Sequence, residues 1–160
     1  MNLTIANARD VPECLDSILG WPEAEWGTDW ALSLSKACLE TCMGRNFPVV
    51  NIGLINGVPV GTCCLVENDL AVRPDLSPWV AGVYVESGSR KLGVGKKLVA
   101  YTMSQALALG FHKLFLFVCD EQLQNFYCGL GWTFYCKETF HGNEVYVMSY
   151  ANKGEVYGSR

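Results

Sequence analysis

The chain has 160 residues, half of them hydrophobic, enough for one domain with a sizeable core. A net charge of −4 without any Lys/Arg stripe excludes an ordinary basic nucleic-acid surface. No apolar run approaches the roughly 18 residues of a membrane span, and Met1 to Ile5 lacks a basic start or a long apolar stretch. The sequence therefore predicts a soluble, cytoplasmic protein.

Eight cysteines are present: Cys14, Cys38, Cys42, Cys63, Cys64, Cys119, Cys128 and Cys136. None forms a C-x-x-C pair, and His112 and His141 lie far from most of them, so no metal site is expected. Most fall in apolar segments, where a reduced thiol acts as a small hydrophobe. Cys38 and Cys42 share a face of a predicted helix, which suits a core.

In chain order, Leu3 to Ala6 reads as a first strand. Asp10 can cap a helix whose first turn holds Pro12 and Glu13, with Cys14, Leu15, Ile18 and Leu19 as its apolar stripe. Gly20 and Pro22 are expected to end it. Trp21, Trp26 and Trp30 then alternate with Glu23, Glu25 and Asp29, which suits either a tryptophan-anchored loop or a pocket for a cationic group. A second helix is predicted from Asp29 to Cys42, with Gly44 at its end.

Pro48 to Ile55 and Val58 to Val66 read as strands joined by Asn56-Gly57, the strongest short hairpin signal. Glu67-Asn68-Asp69 is a polar break, and Arg73 to Pro78 a loop. Trp79 to Val85 is the next strand. The helix after it, Lys96 to Leu109, carries Leu98, Thr102, Ala106 and Leu109 at helical spacing, widened by Met103 and Leu107. Lys113 to Val118 is a near-continuous apolar run, typical of a strand covered on both faces. Glu121 to Cys128 is a short helix capped by Asp120. Trp132 to Lys137 and Glu144 to Tyr150 are the last strands, and their apolar character makes them a candidate homodimer edge. The order β-α-α-β-β-β-α-β-α-β-β, without repeat or linker, predicts an α/β domain over residues 1–150 and a polar tail over 151–160.

Val83 to Gly95 organises the chain, because an apolar strand there runs through a glycine-spaced turn into a helix. The first N–H groups of a helix lack partners, its dipole is positive there, and glycine lets an anion approach. The stretch is thus a phosphate-binding helix start. Two phosphate motifs fail: Val94-Gly95 stands where a Walker loop needs Lys-Ser/Thr, and Leu98 where a dinucleotide fingerprint needs its third glycine.

Arg90-Lys91-Leu92-Gly93-Val94-Gly95 resembles the R/Q-x-x-G-x-G/A motif of the GNAT superfamily of acetyl-CoA-dependent acetyltransferases. Gly82-Val83-Tyr84-Val85 precedes it at the family's spacing. Phe126-Tyr127-Cys128-Gly129-Leu130-Gly131-Trp132 resembles the second signature, F-Y-x-x-L-G-F/W. The element order also agrees over residues 3 to 150. Asp69 to Val85, with Arg73-Pro74-Asp75-Leu76-Ser77-Pro78-Trp79, resembles a bacterial branch whose substrates are mostly unassigned.

The resemblance implies a GNAT fold, a mixed sheet of six to seven strands flanked by about four helices. It implies acetyl-CoA as cosubstrate, with its pyrophosphate on the backbone of Arg90, Lys91, Leu92, Gly93, Val94, Gly95 and Lys96, and no metal. The side chains of Arg90 and Lys96 either add charge there or form a solvated basic face. The pantetheine arm would pair with the backbone of the strand Val83, Tyr84 and Val85, whose N–H groups would also serve the oxyanion, and Asn125 would contact the same arm. Tyr127 matches the general acid that protonates the leaving thiolate. Many members carry a glutamate base early in the fourth strand, where this chain has Trp79, which cannot take a proton. Glu67, Asp69, Glu86 or a water relay remain as bases, and an acyl-enzyme on Cys119 is a remote route. The expected reaction is transfer of an acetyl group to a primary amine of a small molecule. A non-catalytic acyl-CoA-binding module and acetylation of a protein or peptide amine are the alternatives.

Overall fold

The computed structural model describes residues 1–26, 36–38, 40–41, 43–44 and 46–152. Seven strands form one mixed sheet in the order β1-β2-β3-β4-β5-β7-β6. They are β1 (Leu3–Asn7), β2 (Val49–Ile55), β3 (Val58–Val66), β4 (Trp79–Val85), β5 (Lys113–Val118), β6 (Thr133–Phe140) and β7 (Asn143–Ala151). The α-helices are α1 (Leu15–Trp26), α2 (Val94–Ala108) and α3 (Glu121–Cys128), and residues 36–38 and 40–41 are also helical. The rest of the predicted Asp29–Cys42 helix, including Trp30 and Cys42, lies outside the described residues, as do 153–160 of the expected tail. Ala151 closes β7, opposite Lys113. By contact density the chain divides into two compact units, Met1–Val66 with Val80–Thr102, and Glu67–Trp79 with Met103–Arg160.

In the first unit, β2 and β3 form the predicted hairpin. Asn56 and Gly57 both take positive φ, 50° and 81°, which matches the turn to the twist of the strands. Gly53 and Gly61 face each other in register. Their missing side chains let α2 settle on the sheet. A Cβ at Gly61 would stand 2.7 Å from the Tyr84 carbonyl oxygen and 3.0 Å from Leu98 Cδ1. Buried Asn51 donates from Nδ2 to Thr102 Oγ1 at 3.0 Å, and that hydroxyl donates to the Leu98 carbonyl at 2.9 Å. Beside Thr102, burial pushes the Cys63 thiol up to about 12, leaving it a neutral packing group. A second cluster holds Ala8, Cys14, Ile18, Ala37, Cys38, Val50, Ile52, Leu54 and Cys64.

Three expectations need correction. The N-terminal helix does not start at a cap on Asp10: Asn7 caps a 3-10 turn by accepting from Arg9 N–H, a second turn spans Pro12–Cys14, and α1 begins at Leu15. Nor does Gly20-Pro22 end it, since α1 reaches Trp26. Packing of fully buried Ile18 and stacking of Trp21 on Tyr84, centroids 5.3 Å apart, outweigh local propensity there. In α2, Leu98, Thr102 and Ala106 are fully buried, but Leu107 and Leu109 are exposed. Leu107 lies about 100° off that four-residue stripe, and Leu109 follows the last helical residue.

In the second unit, β7 lies between β5 and β6, antiparallel to both. Trp79 and Phe115 pair in the parallel register of β4 and β5. Phe115 and Phe117 contact the Trp79 ring at 5.8 and 6.3 Å. β6 forms one edge of the sheet, with Phe134 and Tyr135 exposed on it. Among the described residues, no helix is long and apolar enough to cross a membrane.

Candidate functional site

The site begins in β4. Gly82 sits inside this strand at φ 61°, a conformation that β-strand residues with side chains avoid. The Thr62 hydroxyl donates to the Gly82 carbonyl at 2.9 Å and holds the irregularity in place. Such a break turns backbone groups out of the regular ladder. It falls immediately before Val83, Tyr84 and Val85, all half-buried while the strand before them is buried.

After β4 the chain is braced into a tight turn. Glu86 N–H donates to the Val60 carbonyl at 2.8 Å, and Ser89 N–H to the Glu86 carbonyl at 2.9 Å. Lys91 and Gly93 take positive φ, 65° and 82°. Gly93 accepts from Lys97 N–H at 3.1 Å, the first bond of α2. The N–H groups of Val94, Gly95 and Lys96 are therefore the helix's orphan donors. Left-handed residues in a turn can bring neighbouring N–H groups onto one side, the backbone geometry of many anion sites. A Cβ at Gly93 would meet nothing within 4 Å, so space in front of the helix start is open. Val94, 1% exposed, anchors the turn from below. A Cβ at Gly95 would lie 3.5 Å from Val85 Cγ2, which puts the helix start against the end of β4.

The structure thus gathers Val83–Val85 and Arg90–Lys96 in the first unit. Arg90 departs from a simple anion-facing role. Its Nε donates to the Val85 carbonyl at 2.9 Å, and its guanidinium carbon lies 5.8 Å from the Tyr84 ring centroid. The side chain braces the turn against β4. Trp21 stacks on the same Tyr84 ring. This Trp21–Tyr84–Arg90 group is absent from the sequence reading, although Trp21 stands three residues after Ile18 at helical spacing. Lys96 is exposed, and Lys97 Nζ donates to the Leu3 carbonyl at 2.8 Å.

The remaining named residues belong to the second unit, where α3 carries Asn125 and Tyr127. The Asp120 carboxylate accepts from Leu123 N–H at 2.8 Å, the predicted cap. The Tyr127 carbonyl accepts from Leu130 and Trp132 N–H at 2.9 and 3.1 Å, which folds the second signature into a turn closing α3. The Tyr127 ring is 5% exposed and meets Phe126 and Trp132 edge-on at 5.0 and 6.2 Å. Asn125 presents an exposed side chain. Cys119 is exposed at the end of β5, and burial of its thiol followed by the Asp120 charge raises its pKa, so little thiolate is available for an acyl-enzyme.

The loop before β4 is more built than its composition suggests. Arg73 N–H donates to the Leu70 carbonyl at 2.9 Å, Leu76 N–H to the Arg73 carbonyl at 3.2 Å, and Asn68 Nδ2 to the same Arg73 carbonyl at 3.2 Å. The Arg73 guanidinium grips Asp75 through two bonds of 2.9 and 3.0 Å, and reaches β6 at Glu138 Oε1 (3.1 Å) and Cys136 Sγ (3.2 Å). Hydrogen bonds to Asp75, then to Glu138, raise its pKa further, and Arg73 in turn lowers that of Asp75. Trp79 is fully buried, with Nε1 donating to the Leu76 carbonyl at 2.7 Å. Of the three candidate bases, Glu67 and Glu86 are exposed, whereas Asp69 is half-buried and burial pushes its carboxyl up to about 8. Among the described residues, no group of three or more His, Cys, Asp or Glu side chains could hold a metal.

Comparison with known proteins identifies the family and the fold. The acetyltransferase (GNAT) family matches residues 15–132. No curated protein matches the sequence. Among solved structures, an aminoglycoside 6'-N-acetyltransferase complexed with coenzyme A is 15% identical with a TM-score of 0.73, covering 94% of this chain and 97% of that one. An aminoglycoside 6'-acetyltransferase type Ii is 17% identical with a TM-score of 0.70, again over 94% and 97%. An N-acetyltransferase from Staphylococcus aureus Mu50 is 15% identical with a TM-score of 0.72, over 96% of this chain and all of that one. The fold is theirs, and from the family match the chain belongs to the GNAT family of acetyltransferases.

Proposed function

We propose that the chain transfers an acetyl group from acetyl-CoA to a primary amine of a small molecule by direct attack on the thioester. The observation that carries this reading is the open helix start at Gly93, where the N–H groups of Val94, Gly95 and Lys96 are left for an anion at the end of β4. The residues suit a pyrophosphate: the first N–H groups of α2 precede its first intrahelical bond, Gly93 and Gly95 carry no side chain beside them, and the dipole of the fifteen-residue α2 favours negative charge there. Behind Gly82, the backbone of Val83 and Val85 would pair with the pantetheine arm as an added strand, and Asn125 would contact that arm. In the transfer step the C–N bond forms and the C–S bond breaks. Tyr127 would donate its proton to the departing thiolate. The two aminoglycoside acetyltransferases among the structural relatives support a small-molecule acceptor.

A second reading, a non-catalytic acyl-CoA-binding module, draws on Trp79, which is buried where many members place a glutamate. One experiment separates the two. Isothermal titration should show coenzyme A binding, and thiol release from acetyl-CoA should follow on addition of some member of a primary-amine panel. Binding without thiol release on any amine selects the module, and no binding at millimolar coenzyme A overturns both readings.

A further inference from the structure

Trp21 stands outside both signatures, yet one ring ties it to the first of them. It lies half-buried on α1, and its indole stacks on Tyr84 of β4 with centroids 5.3 Å apart and planes inclined by 30°. The same Tyr84 ring receives the Arg90 guanidinium, whose carbon stands 5.8 Å from the centroid. Arg90 Nε donates to the Val85 carbonyl at 2.9 Å, reaching back over the turn to the last carbonyl of β4. On the other side of that peptide group, Glu86 N–H donates to the Val60 carbonyl at 2.8 Å. The Val85–Glu86 peptide is therefore held at its oxygen by Arg90 and at its nitrogen by β3. All of these residues belong to the first compact unit. An exposed arginine otherwise samples many rotamers. A ring fixed by Trp21 narrows them to those that reach Val85.

We propose that Trp21 is a positioning residue for the pantetheine half of the donor, acting through Tyr84 and Arg90 on the Val85–Glu86 peptide, a role resting on the acetyl-transfer reading. In that reading the arm pairs with the backbone of β4 as an added strand. An added strand needs the receiving peptide planes set in advance, because a misaligned pair forfeits its hydrogen bond. Val85 is where that setting is hardest to keep. It ends β4, and a 3-10 turn over Ser87–Ser89 follows, so no further strand residue holds its plane. Side chains supply the constraint instead. The carbonyl oxygen has two lone pairs, so the Arg90 bond orients it and leaves one for an N–H of the arm. The Arg90 side chain thus serves the arm, and the backbone of the turn serves the phosphates. Trp21 matters because it immobilises the ring against which the guanidinium rests.

Arg90→Lys keeps the charge and removes the Nε donor and the planar face. Coenzyme A carries the pyrophosphate and the arm, whereas ADP carries the pyrophosphate alone. By calorimetry, Arg90→Lys should weaken coenzyme A about fivefold or more and leave ADP within about twofold. Trp21→Leu should give the same pattern, and Trp21→Phe, which returns a ring to Tyr84, should recover most of the loss. The double variant Trp21→Leu with Arg90→Lys should bind coenzyme A within about twofold of the weaker single variant, because both act through one ring. In the free protein, amide exchange at Glu86 should quicken about fivefold or more in each single variant. Arg90 is exposed, so its variant keeps the fold, and Trp21→Phe with Arg90→Lys gives the cycle if Trp21→Leu unfolds. Coenzyme A affinity unchanged in Arg90→Lys, an equal loss for ADP, independent losses in the double variant, or an unchanged Glu86 exchange rate overturns this proposal alone. A wild type that binds no coenzyme A overturns the transfer reading with it.

Discussion

Asp69→Asn should make the protein more stable, and the pH dependence of the gain carries the argument. Burial moves the carboxyl from 3.8 up to about 8. The unfolded chain therefore releases this proton near its ordinary value, while the folded chain holds it about four units longer. Between those limits the native state binds more protons, so stability falls as pH rises. Below the unfolded value the effect is nil. At pH 7 about three units of the shift are expressed, near 1.4 kcal/mol each, which caps the penalty at about 4 kcal/mol. Water reaching the half-buried carboxyl reduces it, and a gain of about 1 to 4 kcal/mol is expected in the variant. That corresponds to a rise of roughly 2 to 4 °C in Tm per kcal/mol in a chain of this size. The assay is a thermal melt of both proteins from pH 4 to pH 8. The curves should coincide at the acid end and diverge with rising pH. A variant melting at or below the wild type at pH 7, or an offset independent of pH, would refute the buried, unpartnered carboxyl.

Gly61→Ala drives a methyl group against the Tyr84 carbonyl, 2.7 Å away, so β3 and β4 must part. A loss of about 1 to 3 kcal/mol in denaturant unfolding is expected, and an unchanged midpoint would contradict the close approach. Gly93→Ala meets no obstacle but places a side chain at φ 82°. It should cost about 1 to 2 kcal/mol and weaken coenzyme A binding in calorimetry. Unaltered affinity would remove this turn from the phosphate site. Tyr127→Phe should lower turnover by about tenfold or more, while affinity for coenzyme A and Tm change little. Full activity would show the ring to be core packing only.

What was legible in the sequence was local. Asn56-Gly57 names its own turn, Asp120 its own cap, and Gly93 its own helix start, because each conformation is set by the residue that adopts it. Two signatures at the right separation then identified the family. What was hidden depends on residues far apart in the chain. Arg73 and Glu138 are 65 residues apart, and no periodicity joins them. The Gly53–Gly61 pairing reads as two loose glycines until the hairpin register puts them face to face under Leu98. Pro22 signals a helix end, but burial of Ile18 and the Trp21–Tyr84 stack carry α1 past it. Asp69 stood equal to Glu67 and Glu86 as an acid, because shielding is a property of its surroundings.

The hydrogen bond from Asn51 to Thr102 also works as an indexing pin. Thr102 lies eight residues beyond Val94, about 12 Å along the helix axis. Sliding α2 by one residue would swing that hydroxyl about 100° away and strand the Asn51 amide in an apolar interior. The helix can therefore rest on the sheet at one rotation and one height. The mouth of the helix, where the anion would be received, is calibrated from a point deep inside the core. A Thr102→Val variant, which keeps the shape and withdraws the pin, offers a way to detune that mouth without touching it.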